Sequence, residues 1–134
     1  MILPQRLPGL KWLTTGLGIY GAVWITLEGA LGQVLALAML TSLTGVAYGL
    51  QQWWGGRQFG RGSWLLLLGG AGLVTGLATG LLSLGFMALK TGLHAHGPEF
   101  DPLEIGLVIE QTPLWTLAGL VAGLGLGLLT WSTD

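Results

Sequence analysis

Cysteine is absent from the 134 residues. That removes disulfides, thiolate metal sites, iron–sulfur clusters and cysteine nucleophiles. Charge is nearly as scarce. Charged residues make up 8% of the chain, against roughly 25% in an ordinary soluble domain, so the polar surface that keeps a fold in water is missing. The net charge is −1, and there is no cluster of lysine and arginine to neutralise phosphates, which excludes nucleic acid as a partner. No glycine-rich stretch ends in the Gly-Lys-Ser/Thr of a phosphate loop, and no serine sits in a nucleophile elbow.

What the chain has in abundance is apolar sequence, 51% of its residues, gathered in runs near the ~20 residues that cross a bilayer. The pattern predicts an all-α integral membrane protein, one domain over 1–134, with four transmembrane helices at about 11–28, 33–54, 64–90 and 113–131. Arg6 and Lys11 ahead of the first run resemble a signal peptide, but no small-x-small cleavage site follows, and an uncleaved first span is expected. The Gly29–Gly32 turn is so short that spans one and two must form a hairpin.

The segment 91–112 is the one substantial polar region. Within it Asp101-Pro102-Leu103-Glu104 reads as a helix start, with Asp101 as cap, Pro102 at the first position and Glu104 at the third. A short amphipathic helix over 102–111, lying on the membrane surface outside the bilayer, is expected between spans three and four. Thr112-Pro113 repeats the cap-plus-proline signal and is read as the start of span four.

Glycine recurs at every fourth position in three places: Gly45 and Gly49; Gly72, Gly76 and Gly80; and Gly119, Gly123 and Gly127. Residues four apart stack on one helix face, so each row is a groove into which another helix backbone fits closely in lipid. These eight are the expected helix-packing residues. The hydroxyls of Thr14, Thr15, Thr41, Ser42, Thr44, Thr75 and Thr79 bond either across helices or back to their own. Tryptophans 12, 53, 54, 64, 115 and 131 fall near span ends as headgroup anchors, with Trp24 deeper.

Arg6, Lys11, Arg57 and Arg61 fall on one side of a four-span topology, and Lys90 alone on the other. By the positive-inside rule both termini face the cytoplasm or stroma. No carboxylate lies at the bilayer middle, which argues against a proton or ion relay. Glu28 and Lys90, at span ends on the same side, form a possible ion pair. His94 and His96, two apart with Glu99 and Asp101 close behind, are the metal candidates, or ligands to a haem or chlorophyll centre; ordinary loop histidines are the plainer reading, and neither metal nor cofactor is expected.

Gln51-Gln52-Trp53-Trp54 and the Gly92–Phe100 stretch, in a chain rich in glycine, leucine and tryptophan, resemble small uncharacterised multi-span proteins of cyanobacterial and chloroplast thylakoids. The resemblance implies residence in a thylakoid or bacterial inner membrane and a part in building photosynthetic complexes; it assigns no residue a role. Chlorophyll-binding antennae carry paired charged and His or Asn ligands within their helices, a pattern this chain departs from. The resulting expectation is a non-catalytic accessory subunit or assembly factor of a larger membrane complex. The alternative is a small homo-oligomeric channel or carrier for an uncharged solute.

Overall fold

A computed structural model describes residues 1–27, 30–93 and 99–131. Among these the chain is all-α: α1 (Leu10–Thr26), α2 (Leu31–Trp54), α3 (Arg61–Leu93) and α4 (Pro102–Trp131). Three of them, α2, α3 and α4, are long and apolar enough to cross a membrane. The expectation of four such spans is therefore corrected to three by length and composition. The helix read as 11–28 stops at Thr26, because Leu27 turns extended; its start at Leu10, behind Pro8 and a left-handed Gly9, is one residue earlier than read. Its 17 residues reach about 26 Å at 1.5 Å per residue, short of a ~30 Å hydrocarbon core.

A second correction concerns the separate surface helix. Asp101 and Glu104 do form the reciprocal cap: the Glu104 amide donates to Asp101 Oδ1 at 2.9 Å and the Asp101 amide to Glu104 Oε2 at 3.1 Å. But the helix they start does not end at 111. It continues through Pro113 to Trp131 as one 30-residue element. Proline removes a single amide donor, which a long helix packed along a neighbour tolerates in a membrane. Thr112 is not a cap: its hydroxyl donates to the Val108 carbonyl at 2.7 Å, inside the running helix.

The helices pack mainly on their neighbours in sequence, α1 on α2, α2 on α3, and α3 most extensively on α4. The result is an open row rather than a closed bundle. Its ends differ. At one end all four elements converge on a core of Trp24, Val34, Leu37, Met87, Phe100 and Val108. At the other, the segment before α1 lies along the α2–α3 loop, with an isolated antiparallel bridge between Ile2 and Gln58. The Leu3 amide bonds to the Arg57 carbonyl at 3.2 Å, the Gly56 amide to the Leu3 carbonyl at 2.8 Å, and the Leu7 amide to Gln51 Oε1 at 2.9 Å. This end carries Arg6, Lys11, Arg57 and Arg61; the converging end carries Lys90, Glu99, Asp101 and Glu104.

Candidate functional site

Two constructions stand out: a glycine seam between α3 and α4, and a buried lysine where α1 ends.

The seam joins the two long glycine rows to each other. A Cβ built on Gly72 would overlap the Gly119 carbonyl; one on Gly119 would overlap the Gly72 carbonyl; one on Gly123 would overlap that of Leu68. On Gly76 it would overlap the Trp115 carbonyl oxygen and lie 2.8 Å from Thr116 Cα. The partners are backbone atoms, so the helices touch main chain to main chain, the closest approach two helices make. Toward the ends, side chains intervene: Thr112 faces Gly80, and Leu65 faces Gly127 with its Cδ2 2.8 Å from the added carbon. The antiparallel register is pinned at the basic end by the Trp64 indole N–H, which donates to Thr130 Oγ1 at 2.9 Å. Gly45 and Gly49 are placed differently. Nothing lies within 4 Å of a Cβ on Gly45, and Gly49 meets only the Trp53 ring of its own helix. Their row faces an apolar groove of about 470 Å³ between α2 and α3, lined also by Trp53, Leu67, Gly70 and Val74.

The second construction is Lys90, fully buried near the end of α3. Its ammonium donates to the Trp24 carbonyl at 3.1 Å and to the Leu27 carbonyl. It lies 3.6 Å from Glu99 Oε2 and 4.4 Å from the centre of the Trp24 ring. The carbonyls at a helix C-terminus carry partial negative charge; that of Trp24 already accepts the Leu27 amide at 3.1 Å, and the cation from α3 adds a charged donor to it and to the Leu27 carbonyl just past the helix. Lys90 thereby fastens the end of α1 to α3 across more than 60 residues of sequence. Trp24 completes the enclosure, buried and tilted against Phe86 with ring centres 6.1 Å apart. Chemically this arrangement is a clamp: the ammonium is enclosed among carbonyls, a carboxylate and a ring face.

Of the other residues read from sequence, Glu28, His94 and His96 lie outside the described residues, so the Glu28–Lys90 pair and the histidine ligands have no geometry here. Glu99 is the Lys90 partner that sequence reasoning missed; it stands nine positions on, beyond the end of α3 at Leu93, where no helical period connects the two. The serine and threonine hydroxyls resolve in favour of the local choice. Thr14, Thr15, Thr41, Ser42, Thr44, Thr75 and Thr79 all donate to the carbonyl four residues back in their own helix. Among the described residues no three histidine, cysteine or acidic side chains gather as a metal site.

No protein-family model matches the chain, and no curated protein or solved structure does either.

Proposed function

We propose that this chain is a non-catalytic integral membrane protein, an accessory subunit or assembly factor of a larger membrane complex in a thylakoid or bacterial inner membrane. The observation that carries the reading is the open row. Four helices that pack mainly in sequence order leave apolar side chains exposed along the row and on the outer flank of α4, among them Leu117, Val121 and Leu129. A carrier or pump of this size would instead gather polar groups around a path. Here the charged side chain deepest in the fold, Lys90, is enclosed in a clamp.

In this reading α1 also crosses the bilayer despite its 17 residues. Its start is tied through Leu3 to the α2–α3 loop and through Leu7 to Gln51 on α2, and its end is tied to Lys90 at the far end of α3. The basic end, with Arg6, Lys11, Arg57 and Arg61, then faces the cytoplasm or stroma, together with the end of α4.

The test is gentle extraction from the native membrane, followed by native mass measurement and identification of co-purifying proteins. The expected result is migration far above the 14.0 kDa of one chain, with the same partners in independent preparations. Recovery as a lone monomer would overturn the reading. A discrete homo-oligomer without partners would replace it with the channel or carrier alternative.

A further inference from the structure

The four helices are not held alike. Along α3 and α4 the main chains touch, so a Cβ on Gly72 or Gly76 would overlap a carbonyl of the facing helix. Along α1 a Cβ on Gly16, Gly18 or Gly21 would meet nothing within 4 Å. The buried residues of α1 are Leu10 and Trp24, one near each end. Between them Leu17 and Gly21 are half-buried and the rest is exposed. These four positions fall on one narrow stripe, so α1 rests on the row along a line.

Its two ends are fastened by different means. At the basic end the tie is mainly main chain: Leu3 bonds to Arg57 and Gly56, and the Leu7 amide donates to Gln51 Oε1. At the other end it is a side chain, the Lys90 ammonium on the Trp24 and Leu27 carbonyls, with Glu99 beside it. The residue so gripped also carries a penalty. Trp24 is 1% exposed, and its indole Nε1 is buried with no hydrogen-bond partner. A buried indole N–H ordinarily finds an acceptor, and tryptophan is favoured at the headgroup level, where acceptors are at hand. The unmet donor disfavours the closed arrangement, while the clamped ammonium favours it. Opposed contributions at one residue bring two arrangements closer in free energy.

We propose that the end of α1 is a latch: when the Lys90 clamp opens, α1 turns about its strapped start, Trp24 leaves its seat beside Phe86 and Met87, and α2, α3 and α4 stay in place. The swing is bounded, because Leu27 and Leu31 are four peptide steps apart, which keeps the freed end within about 14 Å of the start of α2. Local opening falls to the least packed element of a fold, here α1. The latch needs no partner, so its failure and that of the accessory-subunit reading are distinguishable.

The test uses the isolated full chain in lipid nanodiscs. Because cysteine is absent, spin labels attach only where cysteines are introduced. Val23→Cys with Leu128→Cys reads the far end of α1 against α4, and Met39→Cys with Leu128→Cys reads α2 against α4; all three positions are at least half exposed. Pulsed electron resonance gives the distance distributions. Each pair is expected to show one narrow distance in the otherwise unaltered chain. In Lys90→Met the Val23 pair broadens and shifts, by no more than about 14 Å, while the Met39 pair is unchanged. In Glu99→Gln, which spares the ammonium, closed and open distances of the Val23 pair appear together. Replacing the Trp24 indole there by benzothiophene, which keeps the shape and lacks the N–H, lowers the open fraction. A Val23 pair unmoved in Lys90→Met would mean that packing holds α1 and would overturn the latch. Equal broadening of both pairs would overturn it too, since Lys90 would then support the whole fold. An open fraction that benzothiophene leaves unchanged would overturn the part given to the indole.

Discussion

Adding one methyl group at Gly76 separates the account of the seam from a general preference for small residues in membrane helices. An alanine Cβ there would overlap the Trp115 carbonyl oxygen and stand 2.6 Å from the carbonyl carbon and 2.8 Å from Thr116 Cα. Carbon atoms in comfortable contact lie ~3.5–4.0 Å apart, so α3 and α4 must separate locally by about 1 Å. No rotamer change relieves this, because the obstructing atoms are main chain. The displacement therefore spreads to the neighbouring contacts at Gly72, Gly119 and Gly123. Overpacking of this kind costs about 1–3 kcal/mol, against which alanine recovers at most about 1 kcal/mol of helix propensity. A net loss of about 0–2 kcal/mol is expected for Gly76→Ala, about 1–3 kcal/mol below Gly45→Ala, where the same propensity gain meets no overlap. Gly45→Ala meets nothing and should be neutral or slightly stabilising. Gly69→Ala falls between: its nearest neighbours are Leu124 Cδ2 at 2.8 Å and Cγ at 3.2 Å, the movable end of a side chain. Equilibrium unfolding in mixed detergent micelles, followed by circular dichroism, measures all three. If Gly76→Ala proved as stable as Gly45→Ala, backbone contact would not be the reason for glycine in α3, and the seam would lose its physical basis.

Lys90→Met should destabilise the junction of α1 with α3 by about 3–5 kcal/mol, since it leaves the Glu99 carboxylate and the terminal carbonyls of α1 without their cation; Trp24 fluorescence and unfolding midpoints report it. Because the chain has no cysteine, single cysteines read topology cleanly. In oriented membranes Gln5→Cys and Gln58→Cys should label from the same side and Glu104→Cys from the opposite one; labelling of Gln5→Cys together with Glu104→Cys would mean α1 does not cross.

The sequence carried much of this architecture, and its misses have identifiable causes. Apolar run length located α2 at 31–54 against an expected 33–54, and α3 at 61–93 against 64–90. Asp101 and Glu104 announced a helix start because a capping box is a local device, complete within four residues. Thr112-Pro113 misled for the same reason: the pair signals a start in isolation, but whether a helix runs on through proline depends on the neighbour along which it packs, here α3. The glycine spacing marked faces without naming partners. Gly72 and Gly119 sit in mutual contact while Gly45, in an identical pattern, faces an open groove. Lys90 was noticed as a charge near a span end. Its ligands, the main-chain carbonyls of Trp24 and of Leu27 just past α1 and a carboxylate beyond the end of α3, have no signature in residue type or period.

The claim at the centre of the account is that other proteins cover the open row. Photo-crosslinking residues placed at Leu117, Val121 and Leu129, on the exposed flank of α4, test it inside the native membrane. The account predicts a discrete adduct with a protein of different sequence, the same one from independent preparations, and absent when the crosslinker sits at buried Val34. Adducts with lipid alone, or only with a second copy of the chain, would contradict it.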